Sequence, residues 1–377
     1  MSQLNFYRNN LSKWQEFANS LNISESGYTF DQNEKTRFAL LIELQYDLKD
    51  EDSDLIRYLL RQEIIARENG SIDSAGDALL LNIYLLAQFN NYKDVILFHD
   101  AKYSNFDASC AVDTRFILYA LKDKDEDFIK QNLPEIYNDI KKCDSETQCK
   151  SALTEWWESL SDVYPKKAQD EYSYTLYERS LYFNNYDLAR EYLEKWKEET
   201  PDSADKNSVL KHAYGELEEY SKVIELLKEE LAAIDSHWDR TSCYHSLLEF
   251  YSKSNQSLEG LEVVKLINNE LKQFNDWKGN GLGRMTIEQI FEFSLLTDNH
   301  EIAIEAFNIG YKWLGKIRGD ISYIGLKTAL NAATKFGLIK ESDQLEKLVL
   351  AEKRKLDKDF ESDNWFKSAM ARLFGTL

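Results

Sequence analysis

Five histidines are the first place to look for chemistry in this chain: His99, His212, His237, His245 and His300. A zinc site needs three or four nitrogen or sulfur ligands gathered at short spacings. No H-E-x-x-H or comparable pair occurs, and His237 and His245, eight apart, have no cysteine at ligand spacing. Cys243 and His245 stand two residues apart, which on a helix turns them away from each other and leaves no thiol–imidazole pair. Asp123, Asp125 and Asp127 resemble the opening of a calcium loop. Phe128 then stands where that loop needs glycine, and Pro134 where it needs a bidentate glutamate. The three acids are expected to be a solvated cluster at a helix start. The run "GNGLG" at 279–283 lacks the Lys-Ser/Thr ending of a phosphate loop, and no apolar strand precedes it. It is expected to be part of a flexible inserted loop, 274–285. No G-x-S-x-G appears. No metal, nucleotide or other cofactor is expected, and no catalytic residue is assigned.

Carboxylates are the chemistry this chain has in quantity. Asp and Glu number 66 against 46 Lys and Arg, a formal charge of −20. With that many acids some pair always lies close, so paired carboxylates do not point to hydrolysis. The charge repels nucleic acid and anionic membranes. It admits a basic protein or peptide as partner, and it also serves solubility.

The elements that position these groups are expected to be helices. Only 3 Pro and 14 Gly occur, too few breakers for a chain of many strands and turns. Two blocks, "LYFNNYDLAREYLEKW" and "AYGELEEYSKVIELLKEEL", place Tyr186 and Tyr220 34 residues apart. A further step of 34 reaches Ser254. Three residues before these points stand Phe183, Leu217 and Tyr251; seven after stand Leu193, Leu227 and Leu261. All six are expected to be buried. A period of 34 with this pattern is that of a helix–turn–helix repeat. Tyr92, preceded by Asn90-Asn91, repeats the Asn184-Asn185-Tyr186 turn. The pattern resumes at His300 and again at Ile339. About nine helix pairs without a sheet are expected, as one continuous solenoid: an N-terminal helical cap over 1–75, a repeat array over 76–340 and capping helices over 341–377.

Within that frame, "LNFYRNNLSKWQEFANSL" predicts one N-terminal helix, followed by helices at about 32–48, 53–68, 109–121, 125–141 and 147–161. Trp156 and Trp157 are expected to pack a joint. Closing helices are expected at 341–357 and 362–374, the last amphipathic through Trp365, Phe366, Met370, Leu373 and Phe374. "ALLLNIYLLAQF" is too short to span a bilayer. Four scattered cysteines and an N-terminus without an apolar signal core lead to an expected cytoplasmic location.

The turn aromatics Tyr92, Tyr186 and Tyr220, the small residues Ala189 and Ala303 three further on, and Pro201 at a repeat end resemble the tetratricopeptide repeat superfamily. Val95, Val223 and Ser257 depart from its small-residue rule. The resemblance implies an all-α superhelix whose concave face, lined by the first helix of each pair, binds peptides or protein segments. Positions 15, 12, 8, 5 and 4 before the turn share one side of that helix. They are Glu171, Tyr174, Glu178, Leu181 and Tyr182 for Tyr186. For Tyr220 they are Asp205, Ser208, His212, Gly215 and Glu216, and for Ser254 they are Asp239, Ser242, Ser246, Glu249 and Phe250. Six of these fifteen are acidic and three aromatic, a wall suited to Lys or Arg.

The function expected from this reading is non-catalytic binding. One version is an inhibitor that sequesters a partner, as a bacterial immunity protein does with a toxin; the other is a regulatory adaptor. An enzyme with an unrecognised site in a helical scaffold is the alternative.

Overall fold

Helix dominates because little interrupts it. The computed structural model describes residues 3–24, 27–70, 76–146, 150–274, 281–316 and 321–374. The chain divides into two compact units, Met1–Tyr192 and Leu193–Leu377, each described by itself.

The first unit opens with α1 (Gln3–Arg8), a 3-10 helix (Leu11–Phe17), β1 (Leu21–Ile23) and β2 (Thr29–Asp31). Then come α2 (Glu34–Tyr46), α3 (Ser53–Asn69), α4 (Asp77–Ala87), α5 (Val95–Lys102), α6 (Phe106–Ala111) and α7 (Arg115–Ala120). They are followed by α8 (Glu126–Asn132), α9 (Tyr137–Glu146), α10 (Lys150–Val163) and α11 (Ser173–Tyr182). The single N-terminal helix is corrected to two pieces. Asn9 and Asn10 turn their amides back onto the Asn5 and Phe6 carbonyls, competing with helix propagation. The expectation of no sheet is also corrected. Leu21–Ile23 pairs antiparallel with Thr29–Asp31, and Asp31 is held by Arg37 of α2 at 2.5 Å. Arg37 also reaches Glu63 at 2.6 Å, and Arg67 meets the same carboxylate at 2.8 Å. A buried guanidinium paired on two sides ties the hairpin to α2 and α3. The helix expected at 125–141 is cut in two, because Pro134 cannot continue it. The apolar run of α4 is buried on nearly every side against α2, α3 and α7.

In the second unit α12 (Tyr186–Glu199), which begins in the first, is followed by α13 (Ala204–Glu216), α14 (Tyr220–Ala232), α15 (His237–Lys253) and α16 (Ser257–Leu271). Next come α17 (Gly281–Leu296), α18 (His300–Leu314), α19 (Tyr323–Lys335) and α20 (Ile339–Phe374). Neighbours pack: α13 on α14, α14 on α15, α15 on α16 and α17, α16 on α18, α17 on α18 and α19, and α19 on α20. Of the glycines expected in an inserted loop, Gly281 and Gly283 instead lie in the first turn of α17, and Gly279 falls in 275–280, outside the described residues. The two closing helices are one, α20, since no Gly or Pro separates them. Its expected aromatic face, and the side chains of Cys143 and Cys149, lie outside the described side chains.

Four helices end alike. Phe183, Leu217, Ser254 and Phe336 close α11, α13, α15 and α19. The next residue is left-handed each time: Asn184 at φ 58°, Glu218 at 58°, Asn255 at 54° and Gly337 at 69°. The residue after that returns its N–H to a carbonyl five back, Asn185 to Ser180, Glu219 to Tyr214, Gln256 to Tyr251 and Leu338 to Ala333, at 2.8–2.9 Å. This double closure satisfies the carbonyls that a helix end leaves open. The helices that follow therefore start at Tyr186, Tyr220, Ser257 and Ile339. Of the starts read from sequence, Tyr186, Tyr220, His300 and Ile339 stand to the residue. Ser254 is corrected to Ser257, because α15 has 17 residues where α13 has 13. With that shift the small residue of the third pair is Gly260, and Ala189, Val223, Gly260 and Ala303 are all buried at the same position. Five of the six expected core residues are buried; Phe183 is half-buried, stacked 5.8 Å from Phe38.

Candidate binding surface

The sequence-derived wall falls on both units, so its members are taken separately. In the first unit Glu171 is buried. Its Oε1 accepts hydrogen bonds from Gln45 Nε2, the Tyr46 hydroxyl and Arg179 Nη1, each at 2.8 Å. Burial, then the bond to Glu171, pushes the Tyr46 hydroxyl well above its usual range. Glu171 thus anchors α11 to α2 and is withdrawn from any ligand. Tyr182 is half-buried, edge-on to Phe38 with the Lys35 ammonium 5.0 Å from its ring centre. Tyr174 is half-buried beside Tyr177, and Glu178 is exposed.

In the second unit Asp205, His212 and Glu216 are exposed on one side of α13, with His212 Nε2 3.6 Å from Glu216. The three-residue slip moves the α15 set to Ser242, His245, Glu249, Ser252 and Lys253. Ser242 and Glu249 remain, while Asp239, Ser246 and Phe250 leave the register. Asp239 lies in the first turn of α15, its N–H on the Ser236 cap. Phe250 turns toward Tyr220, 6.0 Å between centres. Lys253 enters the face and pairs with Glu249 at 2.6 Å, so the third helix is less acidic than expected. His245 is half-buried with Nδ1 lacking a hydrogen bond; burial lowers its pKa and Glu249 opposes that shift.

The same offsets applied to His300 and Ile339 pick out residues that were not assigned from sequence. They are Met285, Glu288, Glu292, Leu295 and Leu296 on α17, and Ile324, Lys327, Asn331, Thr334 and Lys335 on α19. The signal was available, since both helix starts were legible. α17 and α19 run parallel: Glu288 midway along α17 accepts the N–H of Ser322, the N-cap of α19, at 2.9 Å, and Lys335 Nζ donates to the Leu295 carbonyl at 2.7 Å near the C-terminal ends of both.

A separate cleft of about 580 Å³ lies between the end of α12, α13 and α14, lined by Glu194, Lys206, Tyr214, Lys222 and Glu229 among others. Its α13 residues, Lys206, Asn207, Leu210 and Tyr214, lie about half a turn around the helix from Asp205, His212 and Glu216. Several of its polar groups pair with one another. The Tyr214 hydroxyl donates to Glu194 at 2.9 Å and Lys222 to the same oxygen at 2.6 Å. Lys206 donates to the Thr200 carbonyl at 2.6 Å and to Asp202 at 2.8 Å.

The other groups raised by the sequence have local partners. Asp125 caps α8 through the Phe128 N–H at 2.7 Å, the helix-start role expected of that cluster. The Cys243 thiol donates to the Leu227 carbonyl, and burial pushes its pKa up to about 11. Trp156 and Trp157 pack on Phe116 and Tyr119. Among the described residues no three His, Cys, Asp or Glu side chains gather as a metal site, and no helix is long and apolar enough to cross a membrane. No protein-family model matches the chain, and no curated protein matches it.

Proposed function

We propose that this chain is a non-catalytic protein-binding solenoid of helix pairs, akin to the tetratricopeptide superfamily, whose first helices bind a protein or peptide. The observation that carries the reading is the repeated turn closure. It gives α13, α15 and α19 the same offset from their turns, and the parallel packing of α17 with α19 adds a fourth helix, which supports reading their equivalent positions as one recurring face. Recurrent, exposed, chemically mixed faces are what repeat arrays use for binding. The carboxylates Asp205, Glu216 and Glu292 suit basic side chains on the partner. Two versions fit: an inhibitor that sequesters its partner, in the manner of a bacterial immunity protein, or an adaptor in the cytoplasm. The test compares two baits in native lysate, the wild-type chain and a variant with His212, Glu216, Glu249 and Glu292 changed to Ala. Proteins captured by the first and lost from the second support the reading. Identical captures on both baits overturn it.

A further inference from the structure

Three large apolar side chains on the α17–α19 face lie in water: Met285 at 55 % exposure, Leu296 at 49 % and Ile324 at 74 %. Single exposed apolar residues are ordinary. These three share one face by register, and they flank a seam between two parallel helices. Met285 and Ile324 stand at its N-terminal end, and Leu296 lies eleven residues beyond Met285, about 16 Å along the axis. Between the two ends the seam is polar and asymmetric. Exposed Glu292 stands on α17 and exposed Lys327 on α19, and neither forms an ion pair among the described residues. Glu288 and Lys335 are spent on the Ser322 N–H and the Leu295 carbonyl.

We infer that this seam seats an amphipathic helix of a partner protein, its apolar stripe bordered by a basic edge over α17 and an acidic edge over α19. The inference rests on the proposed protein-binding role of the first-helix face and specifies its occupant. A partner that adds as a β-strand needs an open backbone edge, and the backbones of α17 and α19 are satisfied within their helices. A helix brings its hydrogen bonds with it and packs its ridge into the groove between two others. Apolar side chains spaced three and four apart reach both ends of the seam. The opposite charges at Glu292 and Lys327 then fix the direction in which the stripe lies.

The probe is a phage-displayed library of helix-forming peptides of about 18 residues, roughly five turns, selected on the full chain. Enriched peptides are expected to carry an apolar stripe with Lys or Arg on one edge and Asp or Glu on the other. Leu296→Asp or Ile324→Asp should weaken the best peptide about tenfold or more, with the circular dichroism spectrum unchanged. The double swap Glu292→Lys, Lys327→Glu should transfer preference to the charge-swapped peptide. Peptides that bind but respond only to changes at His212 and Glu216 would overturn the seam while leaving the binding face intact. No enrichment, or peptides indifferent to every first-helix variant, would overturn both. Self-association of the wild-type chain that Ile324→Asp abolishes in sedimentation would make the occupant a second copy, and the inference would be wrong.

Discussion

The ring of Phe293 in α17 fills the space that a β-carbon on Gly260 of α16 would occupy. Phe293 is fully buried, so the ring has little room to yield. Gly260 stands at the position of Ala189, Val223 and Ala303, three residues into each second helix. Here the chain needs something smaller than alanine because a ring, not a methyl-sized neighbour, fills the joint.

Gly260→Ala is therefore expected to destabilise the protein by about 1–3 kcal/mol through overpacking. That outweighs the roughly 1 kcal/mol that alanine gains over glycine in a helix. Urea denaturation measures it. Adding Phe293→Leu should recover part of the loss, so the double variant falls short of the sum of the singles. A rise in stability for Gly260→Ala alone would mean that the joint is loose.

Glu218 carries a side chain in the left-handed conformation, where the equivalent residues of the other turns are Asn184, Asn255 and Gly337. The left-handed region costs an ordinary residue about 1 kcal/mol or more. Glu218→Asn is expected to raise stability by roughly 0.5–1 kcal/mol and Glu218→Val to lower it. The paired shifts in thermal midpoint check this. Equal midpoints would place no strain at that turn.

These two sites also mark what the sequence made legible. The starts Tyr186 and Tyr220 were readable because a turn aromatic, an apolar residue three before it and a leucine seven after it recur at fixed offsets, while His300 was readable from Ala303 and Phe307 and Ile339 from Phe336 three before it. Ser254 was misplaced because Tyr251 and Leu261 happen to preserve the apolar pattern at a step of 34. Three or four residues are one helical turn, so the longer α15 hides its extra turn from any periodicity argument. Only the left-handed Asn255 reveals it. Glu171 was misassigned for another reason. It fits the face by spacing, but its partners Gln45 and Tyr46 lie some 125 residues away in sequence, and no local pattern announces such a contact. The hairpin was missed likewise, because Leu21–Ile23 and Thr29–Asp31 are short, and Arg37 and Glu63 hold them from elsewhere.

His245 gives a signed pH dependence. Burial holds its folded pKa below the usual value, with Glu249 pulling the other way. The unfolded chain then binds the proton more readily, so protonation favours unfolding. The contribution is intact above the unfolded pKa of about 6.5 and is lost as pH falls through that value toward the folded one. Between pH 7 and pH 5 the urea midpoint of the wild type should fall further than that of His245→Gln. Parallel declines in the two proteins would show that the imidazole is solvated in the folded state.

Glu171 and Glu178 separate structure from binding on α11 and the turn before it. The Glu171 side chain is 1 % exposed and that of its partner Arg179 11 %. Glu171→Ala strips the acceptor from Arg179, Gln45 and Tyr46 at once. Removing one partner of a buried pair costs about 3–5 kcal/mol, a large share of a typical folding free energy. Glu171→Gln keeps an acceptor but loses the charge, and should fall between the wild type and Glu171→Ala. Glu178 is exposed, and Glu178→Ala should change stability by about 0.5 kcal/mol or less. If the first-helix face binds a basic partner, Glu178→Ala is the variant that weakens binding without touching the fold. Glu171→Ala should weaken binding only as far as it unfolds the chain. Measuring the urea midpoint and partner affinity for both variants tests this crossing. A stable Glu171→Ala protein that has lost its partner would return that carboxylate to the binding surface.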